Sequence, residues 1–311
     1  MKEKKKKKEK EMKLLFLVIL SLISYASANL YGVWQTGNTA NFGQISTTAG
    51  QATYSLLFPN FTNSLPGNSA MNDLTSIFTF QLSNNGINYL VTINVAKNKV
   101  NYFVPLPTTE LVYGLRYDSD VNSLKCVISE GNNTWLVGEI DPASGSYDVY
   151  GSVEGAFLGV GLSTWNHTYY VVTATVNDVT VTTFDTRSGE NLGSVNLVLP
   201  TGVTSGPYDL LYVPSLDVLV GTVIITDSNG NSGQDYALID PETGAVKPLG
   251  IFTAAQQVNV VSHAAHQTTL YAAVNFNAVL NFVSLDIQNA KIISQTAEST
   301  FVVSMGYFNN Y

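Results

Sequence analysis

Asp227-Ser228-Asn229-Gly230-Asn231-Ser232-Gly233-Gln234-Asp235 places side-chain oxygens at its first, third, fifth and ninth positions. That donor set suits Ca²⁺, which takes several hard oxygen ligands. The run departs from an EF-hand loop twice, with Ser232 where that loop carries Gly and Leu238 where it carries a bidentate Glu. A solvated polar hairpin is the competing reading. The three histidines, His167, His263 and His266, are expected in turns between strands and in structural roles. The spacing of His263 and His266 would suit a shared metal on a helix, but the residues around them are strand-like. No nucleophile elbow, His-Glu-x-x-His element, P-loop or Rossmann fingerprint is present. Cys126 is the only cysteine, so no intrachain disulfide forms. Its alternating run, Leu124-Lys125-Cys126-Val127-Ile128, predicts a buried, inert thiol.

These residues hang on a repeated element. Six times an apolar strand runs into a polar tight turn, from Ser46 to Gly50, Asn94 to Asn98, Asp141 to Gly145, Asp185 to Gly189, Asp240 to Gly244 and Asp286 to Ala290. The leading residues stand 48, 47, 44, 55 and 46 apart. Asp, Asn or Ser in the lead bonds a backbone N–H two residues on and starts the turn. Gly or Asn four residues later takes the left-handed conformation that closes it. Only the sixth copy departs, with Ala290 in the closing place.

Short strands at a period of roughly 40–50 residues indicate propeller blades. Over residues 30–311 the chain resembles the broad class of propeller repeats with a D-x-x-T-G turn between the third and fourth strands of each blade. The expected fold is all-β: a single six-bladed β-propeller over 29–311. Calling the strands of a blade A to D, the third unit predicts 111–117, 123–129, 134–140 and 147–153. The fourth predicts 156–163, 168–176, 179–184 and 192–198. Strand A falls at 208–213 in the fifth unit and 258–262 in the sixth. Only two strands, 30–34 and 41–45, precede the first turn, and one spare strand, 301–308, follows the last unit. Adding the spare strand to the N-terminal blade closes the ring. Blade two is the irregular one, because Pro66 and Gly67 interrupt its expected strand A.

In such a ring the D–A and B–C connections share one face and the A–B and C–D turns the other. Glu110, Glu154, Asp209 and Asn259 are expected near strand A starts of consecutive blades, at the channel mouth. Six-bladed lactonases and related hydrolases hold a channel Ca²⁺ with such a ring of carboxylates and amides, and the chain is similar to them in that residue class alone. Sialidase-like propellers clamp a carboxylate with three arginines, whereas only Arg116 and Arg187 occur here. The connections 59–72, 199–207 and 227–235 make the D–A/B–C face the expected recognition surface.

Residues 1–28 have the layout of a secretory signal: a lysine-rich start, the apolar stretch 14–23, and Ala26-Ser27-Ala28 with cleavage expected after Ala28. The formal net charge of −8 includes eight Lys and three Glu in that leader, so the remainder carries −13. Such an acidic chain argues against nucleic acid and anionic membrane as partners. Sequons at Asn60, Asn132 and Asn166 fall in predicted loops and suit N-linked sugar. The sequence therefore predicts a secreted, extracellular, monomeric glycoprotein, not inserted in a membrane, that binds a protein or glycan without catalysis or obligatory cofactor. A Ca²⁺-dependent hydrolase is the alternative.

Overall fold

The computed structural model describes residues 29–48, 50–63, 68–107, 111–298 and 302–308. The leader and Glu110 lie outside the described residues. The first blade draws on β1 (Asn29–Thr36), β2 (Thr39–Ile45) and β3 (Ala52–Pro59). The second uses β4 (Thr62–Asn63), β5 (Ser69–Asn72), β6 (Ile77–Asn84), β7 (Ile87–Asn94) and β8 (Lys99–Pro105). The third holds β9 (Val112–Asp118), β10 (Ser123–Gly131), β11 (Thr134–Ile140) and β12 (Tyr147–Glu154). The fourth holds β13 (Ala156–Ser163), β14 (Thr168–Ala174), β15 (Val179–Asp185) and β16 (Asn191–Asn196). The fifth holds β17 (Val203–Val213), β18 (Val218–Thr226), β19 (Ser232–Ile239) and β20 (Val246–Pro248). The sixth holds β21 (Asn259–His266), β22 (Thr269–Phe276), β23 (Val279–Asp286) and β24 (Lys291–Ala297). Last comes β25 (Val302–Phe308), which pairs with β1 and completes blade one in the order β25-β1-β2-β3.

The protein is thus an all-β, six-bladed propeller whose last strand closes its first blade, as the spare strand predicts. The inner strands β25, β5, β9, β13, β17 and β21 touch in sequence around a central channel. Blades pack face to face through alternate side chains. Between blades one and two, Phe42 meets Phe78 and Phe80 at ring separations of 5.3 and 6.0 Å. Each fully buried Phe contributes roughly 1.5–3 kcal/mol, and an aromatic pair about 0.5–1.5 kcal/mol more. Cys126 is fully buried, and burial pushes its thiol up to about 12, as expected of an inert group.

The C–D turns form as their residues dictate. Asp141 accepts bonds from the Ala143 N–H at 3.0 Å and the Ser144 hydroxyl at 2.6 Å. Asp185 accepts from the Arg187 and Ser188 N–H groups, and Asp240 from those of Glu242 and Thr243. The closing residues have positive φ, including 47° at Asn98 and 50° at Ala290. Ala290 is the misfit, since a Cβ there meets the following carbonyl.

Register shifts interrupt five of the inner strands or their partners: β9, β13, β17, β21, and the β1–β25 pair. Such bulges re-aim a side chain and tighten the twist. In β9 the bulge holds Gly114 at φ 63°, where an added Cβ would meet Val160 at 2.6 Å. In β17 three shifts lengthen the strand to eleven residues and put Asp209 at φ 47°.

Several expectations change. Strand A of blade two is the four-residue β5, with β4 pairing separately on β6. β17 begins at Val203, so half of the expected 199–207 loop is strand. β21 runs to His266, so His263 and His266 belong to an inner strand and not to a turn.

Candidate functional site: the channel and the A–B/C–D face

Three charged or titratable side chains meet in the channel, each from a different blade. Arg116 of β9 puts Nη2 2.7 Å from Asp209 Oδ1 of β17. The same nitrogen donates to the Leu210 and Val160 carbonyls at 3.2 and 3.3 Å. On the other side of the carboxylate, His263 Nε2 of β21 stands 3.4 Å from Asp209 Oδ2. Tyr236 of β19 lies 3.2 Å from His263 Nδ1, extending the chain outward into blade five. Burial opposes ionisation of Asp209, but His263 and Arg116 outweigh it and hold the carboxyl at about 2. The left-handed backbone at Asp209 costs about 1 kcal/mol or more, offset by the Arg116 ion pair the bulge brings within reach.

This arrangement is a brace. Its carboxylate is met by a guanidinium and an imidazole, which supply charge compensation and orientation. Beside it a cavity of about 180 Å³ extends past Leu211, Thr164 and Tyr307, at the ends of inner strands that run into A–B turns. The channel space therefore opens towards the A–B/C–D face.

Two grooves lie on the same face. One, of about 420 Å³, runs between the turns of blades three and four and carries Glu139, Asp141 and Asp148. Glu139 is held at about 2: burial opposes ionisation, but bonds from Lys125, Ser123 and Tyr150 outweigh it. The buried Lys125 donates to it at 2.7 Å. The second groove, of about 470 Å³, runs between blades four and five, with Tyr170 and Tyr212 on its wall and Asp217, Asp240 and Glu242 at its edge. The A–B turn of blade four adjoins both: Asn166 lines the second groove, and His167 contacts Arg187, which lines the first. Trp165 stands on that ridge with 80% of its surface exposed.

The sequence-predicted donors do not gather. Glu154 ends β12, the outermost strand of blade three, and is exposed. Asn259 is an exposed first residue of β21. Asp209 lies mid-strand, because β17 starts early, and faces cations instead of further carboxylates. In the polar run, the half-buried Asp227 accepts bonds from the Asn229 N–H, the Asn231 N–H and the Asn231 amide at 2.8–3.0 Å. These bonds lower its pKa. Asp235 points elsewhere: it is buried and accepts N–H groups of Gly250, Ile251 and Phe252 at 2.7–3.1 Å. Burial nonetheless raises its pKa. The run is thus a closed hairpin, with its two aspartates serving different turns.

The sequons fare more simply. Asn60, Asn132 and Asn166 are all exposed in connections. The D–A/B–C face offers less relief than loop length suggests, because 227–231 closes on itself and 200–203 forms a tight turn. Phe61 packs on Tyr89 and Phe103 at 5.4 and 5.2 Å, and Met71 lines the channel cavity. The structure also joins His167 to Asp118 and Asp120, and His263 to Arg116 and Asp209, which sequence reading missed. Their one sequence signal is scarcity: only two arginines occur, and each contacts a histidine or its aspartate.

No protein family matches the sequence, and no curated protein matches it either. Solved structures do resemble it. A chain in the crystal structure of the nidogen/laminin complex superposes with a TM-score of 0.64 at 11% identity, over 91% of this chain and 99% of that one. TolB from Acinetobacter baumannii gives 0.65 at 10% identity, over 91% of this chain and 67% of its own. Hydrazine synthase from Kuenenia stuttgartiensis gives 0.55 at 14%, over 82% and 72%. At such identities the likeness establishes the propeller fold and nothing about activity.

Proposed function

We propose that the protein is a secreted, non-catalytic recognition module that takes a basic protein segment on its A–B/C–D face. One observation carries the reading: the exposed Trp165 lies in the turn whose next residue, Asn166, lines a groove edged by Asp217, Asp240 and Glu242. An aromatic platform with carboxylates beside it suits Lys and Arg side chains, through cation–π contact and charge pairing. The net charge of −13 outside the leader adds long-range attraction for a cationic partner. The channel carboxylate, already paired with Arg116 and His263, adds no reactive group to this surface.

The test uses protein secreted from cells that glycosylate. A lysine- and arginine-rich peptide is expected to bind with an affinity that falls as salt rises. Trp165→Ala should weaken it about tenfold, the equivalent of about 1.4 kcal/mol. Glu242→Lys, at the edge of the second groove, should weaken it further. Binding that ignores salt and both changes would overturn the reading. So would preferential capture of neutral glycans, or Ca²⁺-dependent ester hydrolysis.

A further inference from the structure

On the ridge of blade four, His167 is enclosed by side chains from three turns. Its Nδ1 lies 3.0 Å from Asp118 Oδ2 and its Nε2 3.8 Å from Asp120 Oδ2. Arg187 Nη2 contacts the same Nε2. Asp118 is fully buried; Thr186 Oγ1 also donates to its Oδ2, while its Oδ1 has no hydrogen-bond partner. In the tautomer that donates Nδ1–H to Asp118, the Nε2 lone pair accepts from Arg187, with the exposed Asp120 carboxylate alongside.

A buried carboxylate that fixes one imidazole nitrogen so that the other presents a lone pair is the support a metal-binding histidine receives. We propose that His167 Nε2 and the Asp120 carboxylate form a site for a divalent transition metal of the Zn²⁺ class, with Asp118 positioning the imidazole. The cation takes the place Arg187 holds in its absence. One donor atom from each of Asp118, Asp120 and His167 lies within 4.8 Å of the others. Zn–N and Zn–O lengths near 2.0–2.1 Å at a tetrahedral angle put two donors about 3.3 Å apart. The 3.8 Å seen here closes by a small rotation of Asp120, whose side chain is 55% exposed. An imidazole beside a carboxylate favours Zn²⁺, Ni²⁺ or Cu²⁺ over Ca²⁺. Arg187 is itself exposed, so its displacement forfeits little. The cluster adjoins the first groove, which Thr186 and Arg187 line. The site does not depend on a basic partner binding there.

Zn²⁺ alone, titrated calorimetrically into untagged protein at neutral pH, is expected to bind at one site. Trp165, two residues from His167, supplies an independent readout through fluorescence quenching by Cu²⁺. His167→Gln and the surface change Asp120→Asn should each weaken Zn²⁺ at least tenfold, with circular dichroism unchanged for Asp120→Asn. Arg187→Ser should tighten it several-fold, which a merely structural cluster would not do. Absence of Zn²⁺ binding, binding unaffected by Asp120→Asn, or weaker binding in Arg187→Ser overturns the proposal.

Discussion

Each of the two arginines belongs to a cluster with aspartate and histidine, but in a different order. In the channel the aspartate is central, with Arg116 and His263 on either side of Asp209. On the ridge the histidine is central, with Asp118 at Nδ1 of His167 and both Arg187 and Asp120 at Nε2. A central carboxylate bonded to a guanidinium is electrostatically balanced. A central imidazole pressed by a guanidinium is not, because the guanidinium occupies a lone pair that a metal would bind more strongly. Position reinforces the difference: the channel cluster sits on inner strands from three blades, whereas on the ridge the exposed Asp120 and Arg187 lie in turns beside the buried end of β9. The first is built to hold the ring, the second to exchange its cation.

If the channel holds the ring, the largest effect should come from breaking it there. Ending the chain at residue 300 removes β25, the inner strand of blade one, and opens the edge of β1. It also uncovers Phe78, which packs on Gly306. Without its closing strand the chain should not recover a cooperative thermal transition. A truncated protein that melts like the full one would show that closure is dispensable.

Next in size is Asp209→Asn, which leaves Arg116 and His263 facing an uncharged amide. Breaking a fully buried pair costs about 3–5 kcal/mol; Asp209 retains some exposure to the channel, so about 2 kcal/mol is expected. The pH dependence has a defined sign. The folded carboxyl sits near 2, below its unfolded value of about 3.9. Its stabilisation is therefore complete above about pH 4 and lost as pH falls towards 2. Denaturant midpoints of wild type and Asp209→Asn should differ at neutral pH and converge in acid. A constant gap from pH 7 to 2 would place the role of Asp209 outside its charge.

The contrast also explains what the sequence disclosed. The C–D turns were legible because each is settled within five residues, by a leading carboxylate or amide and a left-handed closing residue. Ring closure was legible from the two strands before the first turn and the one left over at the end. Neither arginine cluster was, because residues 116, 209 and 263 share no local pattern, and only the closed ring brings them together. The register of inner strands was hidden for a related reason. A bulge is a compromise between a strand and its neighbours across the channel, so the shifts in β17 that carry Asp209 into mid-strand leave no periodic trace. His263 was misplaced in a turn through the same cause, since β21 carries a shift and continues to His266.

At the rim, stability should answer to local turn chemistry. Ala290 closes the sixth turn at φ 50°, where three other Asp-led copies have Gly. Ala290→Gly relieves the Cβ contact at the cost of a more flexible unfolded chain, for a net gain of about 0.5–1 kcal/mol. The melting temperature should rise by a few degrees at most. A fall would mean that the Cβ of Ala290 makes a favourable contact outweighing its strain.

The smallest effect, that of Arg187→Ser, tests the comparison most directly when it is set beside removal of Arg116. Arg116→Ser deletes a guanidinium bonded to Asp209 and to the carbonyls of Leu115, Val160 and Leu210, joining three inner strands. Those acceptors lie in the ring interior, where an unsatisfied group costs about 1–3 kcal/mol. Arg187→Ser removes an exposed guanidinium whose contact is one face of His167. Asp118 keeps His167 Nδ1 and Thr186 Oγ1, and Asp185 keeps the backbone N–H bonds that form the turn. Surface changes of this kind stay within about 0.5 kcal/mol. The pair of denaturation curves should therefore show a clear loss for Arg116→Ser and almost none for Arg187→Ser. Equal losses would mean that the ridge is as structural as the channel, because a cation free to leave cannot also be one the fold depends on.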